Sequence, residues 1–207
     1  MDQWIATPWA EYVSHSEDPT YQRAKGYYFL GSMRLEMQPV GFDHSTDHSL
    51  LSLAINLYGM VHGLPLVIAD SCSYRKVGLR ECQPDLSVYV GESIRQIPKA
   101  TNIVDLDVYP APNIAIEISK TTLLDDLGAK RSLYEQIGIQ EYWVVDVEQS
   151  KIIAYTMNPQ GSTQIQVSSI LEHLSFSTLE LALTQGQTQD HSQIGSWLLQ
   201  EFQQLNP

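Results

Sequence analysis

The sequence predicts a single domain of the α/β class, in which a central mixed β-sheet is flanked by helices. The chain has 207 residues, which is enough for one well-packed domain but short for two. Its apolar segments have the length of β-strands and alternate with segments whose apolar residues recur at helical spacing. No repeat or low-complexity linker divides the chain, so we expect residues 1–207 to form one domain.

The first predicted elements are a surface helix and a β-hairpin. Apolar residues recur at helical spacing from Trp4 to His15, which predicts an N-terminal helix. Two segments rich in β-forming residues follow, Tyr27 to Leu30 and Met33 to Met37, and they flank Gly31-Ser32. A Gly-Ser pair between two such segments is typical of a tight turn, so we expect a hairpin.

A core helix and three strands come next. The helix is expected to begin after a capping residue, Asp47 or Ser49, and to end at Gly63. Its apolar residues share one face, as expected for a helix that packs on a sheet: Leu50, Leu53, Leu57 and Val61. Three β-like segments then predict strands at residues 66–68, 86–90 and 114–118.

The second half of the chain completes the sheet through a crossover helix. This helix is expected to be capped by Thr121 or Thr122 and to end at Gly138. The segment Tyr142 to Val145 is almost entirely apolar, as in a strand buried on both faces, and Lys151 to Tyr155 is its expected hairpin partner. Two helices, at residues 178–184 and 194–205, close the chain. Three strands, a helix and a further strand make a mixed sheet with a crossover.

Composition limits the class of protein. No segment approaches the roughly 20 apolar residues that cross a bilayer, and the opening Met1-Asp2-Gln3-Trp4 does not resemble a secretory signal. We therefore expect a soluble, cytoplasmic protein that does not bind membranes. Cys72 and Cys82 are expected to be free thiols in a reducing compartment, although a hairpin between them would also allow a disulfide.

The net charge of −12 argues against an extended clamp on a nucleic-acid backbone, because such clamps use many Lys and Arg contacts. The charge weakens the case for a nucleic-acid enzyme but does not exclude one, because metal-dependent sites are themselves built from carboxylates. The sequence contains no Gly-rich phosphate loop, G-x-S-x-G elbow or Cys-x-x-Cys pair. Nucleotide hydrolases, serine hydrolases and zinc ribbons are thereby disfavoured.

Four charged residues are candidates for chemistry. Glu117 lies within the apolar strand segment Ile114 to Ile118, where a carboxylate is costly to bury unless it is paired or binds a metal. Asp85 follows a proline at the start of a strand and is expected to reach the same edge of the sheet. Lys130 on the following helix and Glu36 in the early hairpin are the other two candidates.

Asp85 and Glu117 predict a site for a divalent cation. Two converging carboxylates raise each other's pKa unless a cation relieves their repulsion. Mg²⁺ suits such a pair, because it binds one or two carboxylates and keeps its other ligands for water and phosphate oxygens. A nearby Lys130 would polarise the attacking water and offset charge on the phosphate. The set is consistent with a phosphodiesterase.

These residues resemble a known family. Pro84-Asp85, a gap of about thirty residues to Ile116-Glu117-Ile118-Ser119, and the stretch from Asp126 to Asp146 are similar to the Uma-two-type branch of the PD-(D/E)XK restriction-endonuclease-like superfamily, which is common in cyanobacteria. The resemblance covers about Gly26 to Tyr155. It implies a restriction-endonuclease-like core at about residues 26–157, followed by C-terminal helices within residues 178–205.

The resemblance also implies a function. It indicates an endonuclease that hydrolyses DNA with Mg²⁺ or Mn²⁺ bound at Asp85 and Glu117, and that acts as a homodimer. It includes Glu36, as a third acidic residue of the site, and His48, as an accessory to it. The superfamily places a lysine two residues after the glutamate, where this chain has Ser119. Lys120 would point to the opposite strand face, so the resemblance nominates Lys130 as the catalytic lysine.

Other interpretations of these residues stay open at this stage. The displaced lysine is also consistent with a catalytically degenerate accessory or binding module on the same fold. Glu117 and Lys130 could form a structural ion pair without metal, Lys130 could be a surface partner of Asp126, and Glu36 could face solvent. His44 and His48 have the spacing of a helical zinc pair, but no third ligand follows at a typical distance.

The basic residues before Asp85 also have two interpretations. Arg75, Lys76 and Arg80 form the densest basic cluster in this region, which makes them candidates for contacts with phosphate. A solvated hairpin is the alternative.

Overall fold

A computed structural model describes residues 3–37 and 41–205 of the chain. Residues 1–2, 38–40 and 206–207 lie outside these ranges. They include residues 1 and 207, the two expected limits of the domain. The helices are α1 (Trp9–Glu17), α2 (Phe42–His62), α3 (Leu123–Asp125), α4 (Arg131–Ile137), α5 (Phe176–Gly186) and α6 (His191–Gln204). A π-helical turn, Asp126–Lys130, joins α3 to α4, and short 3₁₀ turns occupy Pro19–Tyr21 and Gly91–Arg95.

The strands form two six-stranded sheets. Sheet A has the order β1 (Ile5–Ala6), β3 (Ser32–Glu36), β2 (Lys25–Phe29), β6 (Arg80–Cys82), β5 (Ser73–Lys76), β8 (Ile103–Asp105). Sheet B has the order β12 (Gly161–Ile165), β11 (Lys151–Asn158), β10 (Glu141–Asp146), β9 (Ile114–Ser119), β7 (Leu86–Val90), β4 (Leu66–Asp70). Both sheets contain parallel and antiparallel pairs, which confirms the α/β class with mixed pairing.

The central strands of sheet B, β7, β9 and β10, are buried on both faces, and their side chains alternate between two hydrophobic clusters. In β9, Ile116 belongs to the cluster covered by α2, α5 and α6, whereas Ala115 belongs to the cluster on the side of sheet A. In β10, Trp143 belongs to the cluster covered by the helices and Val144 to the cluster on the side of sheet A. This period of two follows from the pleat of a strand. It places Glu117, two residues after Ala115, on the face toward sheet A.

The predicted crossover is confirmed. β4, β7 and β9 are antiparallel neighbours, and β9 pairs in parallel with β10 after the intervening helical segment. β11 returns as the antiparallel partner of β10, as expected. The sequence reasoning did not find β1, β5, β6, β8 or β12, and therefore described one sheet where the structure has two.

Three predicted boundaries were wrong. The N-terminal helix begins at Trp9, after Pro8, and runs to Glu17, because Pro8 provides the extended residue before the first turn. The hairpin turn is Leu30-Gly31, and both residues have positive φ angles of 49° and 73°. That conformation matches the twist of the adjoining strands in a tight hairpin.

The third wrong boundary is the start of α2. The helix begins at Phe42 with Gly41 as its N-cap, well before the predicted caps Asp47 and Ser49, which lie inside it. Its end at His62 with a left-handed Gly63 was predicted correctly. The earlier start places His44 and His48 on consecutive turns of one helix face.

The last two helices begin at Phe176 and His191, two and three residues before their predicted starts. Cys72 and Cys82 are free thiols. Across residues 3–37 and 41–205, none of the helices combines the length and apolar character that a bilayer span requires.

Candidate active site

A cavity of about 600 Å³ lies between the β2–β3 hairpin, the first turn of α2 and the ends of β7 and β9. Asp85, Glu117, Lys130 and Glu36 all line it. The same lining contains five basic side chains, Arg23, Lys25, Arg34, Lys120 and Lys130, against three carboxylates. A chain with only 12 Lys and Arg residues thus concentrates five of them around one cavity.

The hairpin contributes one face of its two strands to the site. Lys25 pairs in register with Glu36, and Tyr27 pairs with Arg34. Because alternate residues of a strand share a face, these four side chains lie on the same side of the hairpin. Lys25, Arg34 and Glu36 line the cavity, and Tyr27 reaches the Glu117 carboxylate.

Glu117 is at the centre of the site and only 2% exposed. Its Oε1 accepts hydrogen bonds from the Tyr134 hydroxyl at 2.6 Å and from the Tyr27 hydroxyl at 3.1 Å. Burial raises its pKa to about 8, and Lys130 opposes that rise while Asp85 adds to it. The carboxylate is therefore held rigidly and lacks full compensation of its charge.

Lys130 enters the site from the end of the π-helical turn and is 1% exposed. Its Nζ lies 2.9 Å from Glu36 Oε1, 2.9 Å from Asp126 Oδ1 and 3.7 Å from Glu117 Oε1. The predicted pair with Asp126 therefore forms, but in the interior rather than at the surface. These carboxylates hold the pKa of Lys130 above its usual value despite burial. π-turns of this kind occur frequently at functional sites.

Asp85 is fixed by three partners on three elements. Its Oδ1 pairs with the Lys25 ammonium and lies 3.2 Å from His44 Nε2. Its Oδ2 accepts the backbone N–H of Ile118 at 2.8 Å, which ties it to β9 beside Glu117. Burial tends to raise its pKa, but the hydrogen bond from His44 and the charge of Lys25 outweigh burial and hold that pKa below its usual range.

Two of the histidines of α2, His44 and His48, contact Asp85. His44 lines the cavity and contacts the carboxylate, whereas His48 lies within 3.1 Å of the Asp85 backbone oxygen and 3.3 Å of Asp70. Both rings are therefore turned toward Asp85, which does not match a zinc pair. Sequence reasoning nominated His48 for the site but considered His44 only as part of a possible zinc pair, because the helix was predicted to begin after it.

The other charged candidates lie apart from the buried centre. Lys120 lines the cavity but is exposed, and it pairs with Asp43 at 2.8 Å. Arg75 pairs with Glu81, Lys76 with Asp107 at 3.3 Å, and Arg80 donates to Gln136 at 2.8 Å. None of the last three lines the cavity, so the phosphate contacts considered for them gain no support here.

Sequence reasoning missed three of the cavity cations: Arg23 and, on the hairpin, Lys25 and Arg34. A signal was available, since the register of the hairpin places both on the face that carries Glu36. The prediction placed the first strand from Tyr27, two residues after the lysine, so this signal was not used.

The donors at the centre suit a hard cation. Asp85 and Glu117 offer carboxylate oxygens, and Mg²⁺ or Mn²⁺ binds one or two carboxylates with water and phosphate oxygens as further ligands. Over the ranges that the structure describes, no cluster of three or more His, Cys, Asp or Glu side chains is arranged around one point for a metal. The residues present thus fit a magnesium-type site with few protein ligands better than a zinc site.

The raised pKa of Glu117 gives a testable pH dependence. Between its ordinary value of 4.5 and about 8, the folded chain holds a proton on Glu117 that the unfolded chain releases. Its contribution to the free energy of unfolding is therefore complete below pH 4.5 and is lost as the pH rises through about 8. Urea unfolding in chelator from pH 5 to 9 should show this decline in wild type. Glu117→Gln should remove that part of the decline, and identical slopes for both proteins would contradict it.

A family model described as "Uma2: Putative restriction endonuclease" matches residues 9–190. The fold is similar to that of a crystal structure titled as a "putative nuclease belonging to DUF820" from Anabaena variabilis, with a TM-score of 0.58 and 19% identity over 85% of this chain and 98% of that one. A search of curated proteins gave no match.

Proposed function

The chain belongs to the Uma2 family, and from this membership and the geometry of the cavity we propose that it is a divalent-metal-dependent endonuclease that hydrolyses phosphodiester bonds in DNA. One observation carries the proposal. Asp85, Glu117 and Lys130 lie on three separate segments, before β7, in β9 and in the π-helical turn, yet all three are buried around one cavity with an excess of basic side chains. A buried group of this kind, with a perturbed pKa at its centre, is typical of a functional site.

Asp85 and Glu117 are the residues we assign to the metal, with Mg²⁺ or Mn²⁺ as the ion. When bound there, the ion would supply Lewis-acid activation of water and neutralise charge on the phosphate. Lys25 now pairs with Asp85 Oδ1, so binding of a cation requires this ammonium to share the carboxylate or to move aside.

The chain's own residues perform the rest of the proposed reaction. Lys130 is assigned to orienting the attacking water and to stabilising negative charge that develops on the phosphate. Glu36 and Asp126 hold its ammonium in place at 2.9 Å each, so we assign positioning roles to them. Arg34 lines the cavity and contacts Glu36 at 2.8 Å and Asp125 at 3.5 Å, and we assign its guanidinium to a phosphate oxygen. His44 and His48 keep Asp85 in position.

Asp85→Asn tests the metal assignment. The substitution keeps the side-chain shape but removes the charge, so we expect Mn²⁺ affinity in calorimetric titration to fall at least about tenfold and plasmid cleavage to be lost. Asp107→Asn is the matched control, because Asp107 pairs with Lys76 away from the cavity. Unchanged Mn²⁺ affinity in Asp85→Asn would refute the assignment.

One observation favours a second candidate, a catalytically degenerate binding module. Ser119 is buried in the position where the superfamily carries its lysine, and Lys25 neutralises Asp85 directly. Such a module would bind metal or nucleic acid without cleaving it. Ser119→Lys distinguishes the two candidates, since cleavage that appears only in this variant identifies a degenerate nuclease, whereas cleavage by wild type identifies an active one.

A further inference from the structure

Both oxygens of the Asp85 carboxylate already have partners in the folded chain. Oδ2 accepts the backbone N–H of Ile118 at 2.8 Å, a hydrogen bond whose donor is fixed within β9. Oδ1 pairs with the Lys25 ammonium and lies 3.2 Å from His44 Nε2. A divalent ion that binds Asp85 at Oδ1 therefore meets a positive charge that the protein itself supplies.

Lys25 is held less firmly than Lys130, the other lysine of the centre. The Lys130 side chain is 1% exposed, and its ammonium contacts three carboxylates. The Lys25 side chain is 20% exposed and lines the cavity, and among the residues that the structure describes Asp85 is its only ion-pair partner. A lysine ammonium is carried on a flexible four-carbon stem. Lys25 can therefore leave its carboxylate and stay within the cavity, whereas Lys130 is locked by its three partners.

The charge of Lys25 makes joint occupancy of Asp85 unfavourable. Burial tends to lower the pKa of Lys25, but the charges of Asp85 and Glu117 outweigh burial and hold that pKa above its usual value. The nitrogen is therefore a full ammonium at neutral pH. Like charges that share one oxygen repel each other strongly where water is largely excluded, and Asp85 is only 4% exposed. The ammonium and Mg²⁺ or Mn²⁺ are thus alternative partners of this oxygen.

From these observations we infer that Lys25 competes with the divalent cation for Asp85, so that its ammonium moves aside when the ion binds and thereby sets the metal affinity of the site. This inference rests on the metal site of the proposed function and gives that site its affinity-determining residue. Each ion that binds must replace a positive charge tethered to the hairpin, which lowers its affinity. In exchange, Asp85 has a counter-charge whenever no ion is bound, and a buried carboxylate without one is costly.

Lys25→Met tests the competition by metal binding alone. The substitution keeps a side chain of similar length but removes the competing charge, so we expect the Kd for Mn²⁺ in calorimetric titration to fall at least about tenfold. Lys120→Met is the matched control, because Lys120 lines the same cavity but pairs with Asp43 at 2.8 Å. Its exposed charge is screened by solvent, so the control should change the Kd by less than about threefold. An unchanged or higher Kd in folded Lys25→Met, or no binding by it, would overturn the inference.

The displacement of Lys25 is also measurable in wild type, where no variant has to fold. An amine-reactive ester, followed by mass spectrometry of the digested protein, should label Lys25 at least about threefold faster in excess Mg²⁺ than in chelator, because an ammonium released from its buried carboxylate is more accessible. Lys120, which does not contact Asp85, is the internal reference. Labelling of Lys25 at the same rate in both conditions would overturn the inference.

The two measurements separate this inference from the nuclease function. If Lys25→Met binds Mn²⁺ more tightly than wild type but neither protein cleaves DNA, the inference stands and the nuclease proposal fails. If wild type cleaves DNA but the Kd of Lys25→Met is unchanged, the nuclease proposal stands and the inference fails.

Discussion

Glu117→Gln should abolish DNA cleavage while leaving the fold in place. The amide keeps an oxygen in position for the hydroxyls of Tyr27 and Tyr134, so the local hydrogen bonds survive. What is lost is the negative charge that, with Asp85, is assigned to the metal. Loss of that charge should lower the single-turnover cleavage rate with Mn²⁺ by at least about 10³-fold, because metal activation contributes several kcal/mol to such reactions.

The control for this result is Glu92→Gln, in an exposed 3₁₀ turn, which should cleave at the wild-type rate. At pH 7 without metal, the free energy of unfolding of Glu117→Gln should stay within about 1 kcal/mol of wild type, since a pKa of about 8 leaves the carboxyl largely protonated and the amide is a neutral group of the same shape. Cleavage within tenfold of wild type would remove Glu117 from the mechanism.

Lys130→Met should cause the largest loss of stability of any single substitution in the site. The methionine fills a similar volume but leaves Glu117, Glu36 and Asp126 without their shared ammonium. Removing one partner from a buried ionic group typically costs about 3–5 kcal/mol, because the remaining charge is uncompensated. The cation–π contact of Nζ with the Tyr27 ring, at 4.2 Å, is lost as well. Cleavage should fall below detection.

Lys151→Met is the matched comparison, since Lys151 pairs with Glu180 at 2.6 Å but is largely exposed. An exposed pair contributes at most about 1 kcal/mol. Adding Glu117→Gln to Lys130→Met should recover part of the lost stability, which a double-mutant cycle measures in urea. If Lys130→Met costs no more than Lys151→Met, the buried ionic group does not exist as described.

The part of the fold that the sequence predicts is the part with strong hydrophobic patterns. Residues 86–90, 114–118 and 142–145 read as strands because burial on both faces requires apolar residues at nearly every position. The short strands of sheet A carry no such pattern. Ser73–Lys76 and Arg80–Cys82 are mostly polar or charged, and only their pairing in the folded chain makes them strands.

The residues of the candidate site also divide into those with a local sequence signal, which were predicted, and those without one, which were missed. Glu117 was recognisable because a carboxylate interrupts an apolar strand. Asp85 was recognisable from its place after a proline at the start of a strand, and the family resemblance nominated Lys130. His44 was not recognisable, because Asp47 and Ser49 resemble N-caps and Gly41, the actual cap, carries no side-chain signal. Lys25 was not recognisable, because its role depends on the packing of the hairpin against Asp85, which no local sequence pattern encodes.

The two-residue turn of the hairpin determines which of its side chains face the cavity. Leu30-Gly31 fixes the pairing of β2 with β3, and with it the shared face of Lys25, Tyr27, Arg34 and Glu36. Because side chains alternate along a strand, a slip of one residue would turn β2 or β3 over and carry its members of this set out of the cavity. Lengthening this loop by one residue would therefore disrupt the site while leaving every one of its side chains in the sequence.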